Sequence, residues 1–189
     1  MRVNAAHSIR PCTGFSRSGD TTVFETRGPT TLFGVVDVLG HGPAAASVAD
    51  LANAHFGAAD LSLPLPGIIG ALHKALERTR GAAAGLCLVN KTAVEMAVVG
   101  NIEMRSIGTR IGVIATPGIV GRRIRRLRSY QFEMKPGDRI VVFSDGLANT
   151  VDVQSIRDLE ADQACSQLIA TYGVPQDDAS VVVADFCHD

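Results

Sequence analysis

The sequence predicts an α+β fold, an α-β-β-α sandwich in which two central antiparallel sheets are flanked by helices. Three observations carry that expectation. Between residues 84 and 143, strand-like runs follow one another through short turns at Asn90-Lys91, Gly100-Asn101, Pro117-Gly118 and Pro136-Gly137. No amphipathic segment of helix length interrupts them, which is the pattern of antiparallel meanders rather than βαβ units. Helical periodicity falls into two groups, one between the early and middle strands and one before the last strand. Finally, 189 residues with 46% hydrophobic side chains are enough for a core without staples.

Taken in order, β-branched or alternating runs bounded by Gly and Pro predict strands over 3–9, 20–26 and 31–38. A helix over 44–56 follows, with Val48, Leu51, Ala52 and His55 on one face, and another over 68–80, with Ile69, Leu72 and Leu76 on one face. Strands are expected over 84–90, 93–99, 102–107, 111–115, 125–132 and 138–143. A third helix over 158–172 stops on Gly173, with Pro175 beyond it, and a last strand covers 179–186.

Charge excludes some classes of partner. With 18 Lys+Arg against 19 Asp+Glu the net charge is -1, so no bulk field favours nucleic acid or an anionic membrane. Cys12, Cys87, Cys165 and Cys187 are scattered, without zinc-type or disulfide-framework spacing, which fits a reducing compartment. The N-terminus lacks the apolar stretch of a signal peptide, and no run approaches the roughly 18 apolar residues of a membrane span. The expectation is a cytoplasmic monomer, residues 1–189 forming a single domain without a separate sensor domain, since no repeat or linker divides the chain.

The chemical signal is carboxylates at strand ends. LFGVVDVLGHG carries Asp37, RIVVFSDGL ends in Asp145, VPQDDASVVVADF opens with Asp177 and Asp178, and FSRSGD places Asp20 before an extended run. Such residues offer the hard-oxygen shell that magnesium or manganese prefers. Any one alone reads equally as a turn residue, because Asp-Gly is a common turn dipeptide.

Together, however, SGD, DVLGHG, FSDGL and DDAS form an ordered set over nearly the whole chain. In this the chain resembles the metal-dependent (2C-class) serine/threonine protein phosphatases, and within them the SpoIIE-like branch and its short RsbX-type stress-response members. The resemblance implies a phosphoserine/phosphothreonine phosphatase that uses two divalent cations, Mn2+ or Mg2+. Asp37 would bridge both cations, with the Val38 carbonyl also coordinating. Asp20 would bind one cation or its water, Asp145 and Asp177 would complete the other shell, and Asp178 would be a further ligand or water-positioning group. Val38 stands where many relatives have glycine, and Asn101 stands where eukaryotic relatives carry the aspartate of a third cation site. The implied substrates are phosphorylated STAS-domain stressosome proteins. A catalytically inactive phosphatase-fold binding module, or a phosphatase of small metabolites, would share the same motifs.

Phosphate monoester hydrolysis needs positive charge against the phosphoryl oxygens and a nucleophile formed near neutral pH, which paired cations supply, placing Asp37 and Asp145 at the catalytic centre. His41, inside LGHG, is the candidate general acid for the leaving alkoxide; orienting the loop is its alternative role. Arg17, three residues before Asp20, can bind the substrate phosphate bidentately or serve as an exposed turn residue. The remaining histidines (His7, His55, His73, His188) read as structural or surface groups, and Cys87 and Cys165 as core fillers. RRIRRLR at 122–128 is the one concentrated charge feature, read as a solvated strand or loop or as a docking patch for an acidic protein surface.

Overall fold

A computed structural model of the chain describes residues 1–188. The elements are β1 (Arg2–Arg10), β2 (Asp20–Arg27), β3 (Thr30–Val38), α1 (Pro43–Gly57), α2 (Leu65–Ala75), β4 (Ala82–Asn90), β5 (Ala93–Val99), β6 (Glu103–Ile107), β7 (Gly118–Ile119), β8 (Arg123–Ile124), β9 (Tyr130–Glu133), β10 (Arg139–Phe143), α3 (Ala161–Tyr172) and β11 (Ala179–Cys187). One sheet has the order β1-β11-β10-β6 and the other β2-β3-β4-β5-β9, while β7 and β8 form a small hairpin. All pairings in both large sheets are antiparallel.

Three apolar layers hold the sandwich together. Phe33, Val35 and Cys87 of one sheet meet Ile140, Val142 and Val182 of the other between the sheets. On the outer face of the five-stranded sheet, Leu32, Val36, Leu86 and Leu88 pack under α1 and α2. On the outer face of the four-stranded sheet, Val141, Phe143, Val181 and Val183 pack under α3. The period-2 alternation of β3, β10 and β11 assigns each residue to a layer. Cys87 and Cys165 are fully buried and, like the other cysteines, are free thiols. Among the described residues no helix is long and apolar enough to cross a membrane.

Several boundaries differ from the sequence expectation. In α1 the buried residues are Ala45, Ala46, Ala49, Ala52 and Phe56, and Leu51 is exposed, because small alanines let the helix approach the sheet closely. α2 begins at Leu65, whose N–H donates to Glu95 Oε2 of β5 at 2.9 Å, a cap supplied from across the fold. It ends by Ala75, and Arg78 follows with φ 67°. Residues 111–115 form no strand, yet Ile111 and Val113 pack against the inter-sheet core. The expected 125–132 strand is found only over Tyr130–Glu133, since the apolar residues of the arginine-rich part, Ile124 and Leu127, lie three apart, which is not a strand's period of two, and pack on the core as anchors. The last helix starts at Ala161, behind a 3-10 turn over Val153–Ile156.

Candidate metal centre

Asp20 opens β2 and Asp37 lies one residue from the end of β3, and the two are direct cross-strand partners. Alternation aims both at the space between the sheets. From the opposite sheet, Ser144 follows Val142 and Ser180 precedes Val182 on the same inward face, so hydroxyls close this end of the inter-sheet core. Ser144 Oγ and Ser180 Oγ each donate to Asp20 Oδ2 at 2.6 Å, joining the two sheets. Asp20 is buried, and its Oδ1 has no hydrogen-bond partner among the described residues.

Like charges directly opposite on paired strands repel. Burial, then the charges of Asp20, Asp145 and Asp177, push Asp37 up to about 9. Burial also raises Asp20, opposed by the Ser144 and Ser180 hydroxyls. Asp177 is raised too, by burial first and then by Asp145 and Asp178, while His41 pulls it back. Asp37, Asp145 and Asp177 therefore share one field, although no three His, Cys, Asp or Glu side chains among the described residues already surround a single point. The residues fit a divalent cation: the donors are hard oxygens, and among the described residues one buried carboxylate oxygen lacks a partner and neither Asp20 nor Asp37 forms an ion pair.

The loop after Asp37 is clamped. Val38 N–H donates to Gly19 O at 3.2 Å and Leu39 N–H to Gly81 O at 3.0 Å, while Arg80 Nη1 donates to Leu39 O at 2.9 Å. Val38 buries its side chain under α1 and α2 and has an ordinary negative φ, so only its carbonyl is available as a ligand and valine causes no backbone strain. Gly40 and Gly42 turn the chain with φ of 77° and 78°. His41 is exposed, with its ring centroid 4.9 Å from that of Phe15.

Asp145 lies exposed just past β10, where Asn101 Nδ2 donates to its Oδ2 at 2.6 Å. Gly146 has no room for a side chain, since a Cβ there would stand 1.9 Å from Asp178 O. Asp177 Oδ1 accepts the Asp178 N–H at 2.9 Å. Asp178 is buried and faces backbone: Oδ1 accepts from Cys12 N–H and Oδ2 from Gly19 N–H, each at 2.7 Å. It ties the segment after β1 and the turn before Asp20 to the start of β11. Arg17 is exposed and paired with Asp50 of α1 at 2.5 Å.

Sequence reasoning missed Ser144, Ser180 and Arg80, and read Asn101 only as the residue at the third-cation position, not as the partner of Asp145. The serines stood inside FSDGL and DDAS, on the inward phase of their strands, and that phase was the available signal. Nothing local marked Arg80 or the Asn101–Asp145 contact, which join residues 41 and 44 positions apart.

One consequence concerns the metal-free protein. Asp37 in the folded state keeps a proton that the unfolded chain releases near pH 4, so this group's contribution to stability is complete below pH 4 and is lost as pH rises toward about 9. In EDTA the melting temperature should fall between pH 5 and 9, and Asp37→Asn should flatten the slope. Parallel slopes for the two proteins would refute the assignment.

Comparisons with known proteins converge on one family. The family model for Stage II sporulation protein E (SpoIIE) matches residues 27–187. No curated protein matches the chain significantly. Among solved structures, one described as the bacterial stressosome, a modular system adapted to control secondary messenger signalling, is 29% identical with TM-score 0.90, over 97% of this chain and 100% of that one. RsbX in complex with magnesium is 18% identical with TM-score 0.83, over 97% and 94% of the two chains. The catalytic domain of the serine/threonine phosphatase PstP, in complex with 2 manganese ions, is 16% identical with TM-score 0.72, over 98% and 99%. The architecture is thus that of the PP2C serine/threonine phosphatases, and the chain belongs to the SpoIIE family of PP2C-type phosphatase domains.

Proposed function

We propose that this chain is a metal-dependent phosphatase that removes phosphate from serine or threonine of bacterial signalling proteins, with STAS-domain stressosome proteins as its substrates. The observation that carries the reading is the facing pair Asp20–Asp37 with a partnerless buried oxygen, close enough to Asp145 and Asp177 to raise Asp37. Asp20, Asp37, Asp145, Asp177 and the Val38 carbonyl would hold two divalent cations. The magnesium and manganese carried by RsbX and PstP support Mg2+ or Mn2+ as those ions. Such ions supply a water ionised near neutral pH and offset charge on the phosphoryl oxygens.

The chain's own residues do the rest. The Ser144 and Ser180 hydroxyls fix Asp20, Asn101 orients Asp145, and Arg80 holds the Leu39 carbonyl beside the ligand loop. His41, exposed and near enough to lower Asp177, would protonate the leaving oxygen. Arg17 would bind substrate phosphate only by leaving Asp50, an exposed pair of little energetic consequence. The stressosome relative, at 29% identity, supports the substrate class.

Hydrolysis of a phosphoserine-bearing STAS-domain protein, an aryl phosphate and a phosphotyrosine peptide, each in Mn2+, Mg2+ or EDTA, tests the proposal. Metal-dependent turnover of the first two, with the phosphotyrosine peptide slower, is expected. A folded chain inactive on all three with either metal would overturn it in favour of a binding module.

A further inference from the structure

The arginine run is not absorbed by the hydrolytic site, yet the fold places it beside that site. Ala82 and Val120 exchange backbone hydrogen bonds of 3.0 and 2.8 Å, and Ala82 is the register partner of Val38. The β7–β8 hairpin therefore sits at the ligand-loop end of the sheet, with Ile119 and Arg122 packed over Gly81. On the other side, Thr116 N–H donates to Val98 O at 2.8 Å, and Gly100 N–H donates to Thr116 O at 3.2 Å. Asn101, the next residue, holds Asp145. Adding these steps puts Thr116 within roughly 15 Å of the Asp145 carboxylate, about four to five residues of extended chain.

Above Thr116 lies an open groove of about 380 Å³ whose lining includes Ile114, Pro117, Arg125, Arg126 and Arg128. Ile114 is 63% exposed. Among the described residues, none of the arginines between 122 and 128 forms an ion pair. Unpaired guanidinium groups on a protein of net charge -1 make a local site for an anionic partner. Nucleic acid is disfavoured because the two aromatics that follow the arginines are not free to stack on bases: Phe132 packs against the inter-sheet core and Tyr130 is half-buried.

Resting on the phosphatase reading, we infer that this groove docks an acidic segment of the phosphoprotein substrate about four to five residues from the phosphorylated side chain. The apolar Ile114 and Pro117 would receive the aliphatic parts of that segment, and the three arginines its carboxylates.

The test compares two fluorescein-labelled phosphoserine peptides, one with glutamate tracts beginning four residues either side of the phosphoserine, the other with glutamines there. Binding is read by anisotropy, and kcat/KM by phosphate release. The acidic peptide should bind and turn over about tenfold better at low salt, with the preference shrinking toward parity near 0.5 M salt. The triple variant R125A/R126A/R128A should lose that preference while keeping wild-type aryl phosphate hydrolysis and melting temperature. Equal binding of both peptides by the natural chain, or a preference that survives in the variant, would overturn the inference. So would inhibition by polyuridylate without a glutamate preference, which would assign the patch to nucleic acid. Failure of aryl phosphate hydrolysis with every metal would instead refute the phosphatase reading, while anisotropy would still decide the docking.

Discussion

Asp37→Asn is expected to remove metal-dependent aryl phosphate hydrolysis by at least about 10³-fold, equivalent to roughly 4 kcal/mol of lost transition-state stabilisation. The variant should nonetheless fold. Asparagine is nearly isosteric, and it takes one of two opposed carboxylates out of a site where burial and three neighbouring aspartates disfavour ionisation. In EDTA near pH 8 its melting temperature should therefore equal or exceed that of the natural chain, and Mn2+ should no longer raise it. A stable variant retaining more than a tenth of the activity would remove Asp37 from the catalytic centre.

Asp178→Ala should act differently, through structure first. Both carboxylate oxygens accept backbone N–H groups, from Cys12 and Gly19, and deletion leaves two buried donors unpaired. At about 1–3 kcal/mol for each orphaned group, denaturant unfolding should show a loss of roughly 2–6 kcal/mol even without metal. Asp178→Asn, which keeps one acceptor oxygen, should fall between. Gly19 immediately precedes Asp20, so Mn2+ affinity should fall as well. A variant as stable as the natural chain in EDTA but weakened in metal binding would make Asp178 a direct ligand rather than a strut.

The contrast between these two aspartates shows how far local sequence reaches. Strands β3, β4, β10 and β11 were legible as short, nearly continuous apolar runs bounded by turn residues, because both of their faces are buried, and the order of strands and helices followed from them. The same reasoning failed over 125–132, where arginines break the apolar period, and for α1, where four alanines, not the larger Leu51, face the sheet. Helix α2 began earlier than its own residues indicated because its cap, Glu95, comes from a strand 30 positions away.

The sequence by itself determined the α+β architecture and the motif order that puts Asp20, Asp37, Asp145 and Asp177 at strand ends, because alternation, turn residues and motif spacing are local properties of the chain. Only the tertiary structure decided which carboxylates face each other, that Ser144 and Ser180 anchor Asp20, that Asp178 spends both oxygens on backbone while Arg17 pairs with Asp50, and that the arginine run lies beside the site. The Asp20–Asp37 pair follows from the register of two neighbouring strands, whereas the serine and Asp178 contacts join residues more than a hundred positions apart and exist only once the two sheets have packed.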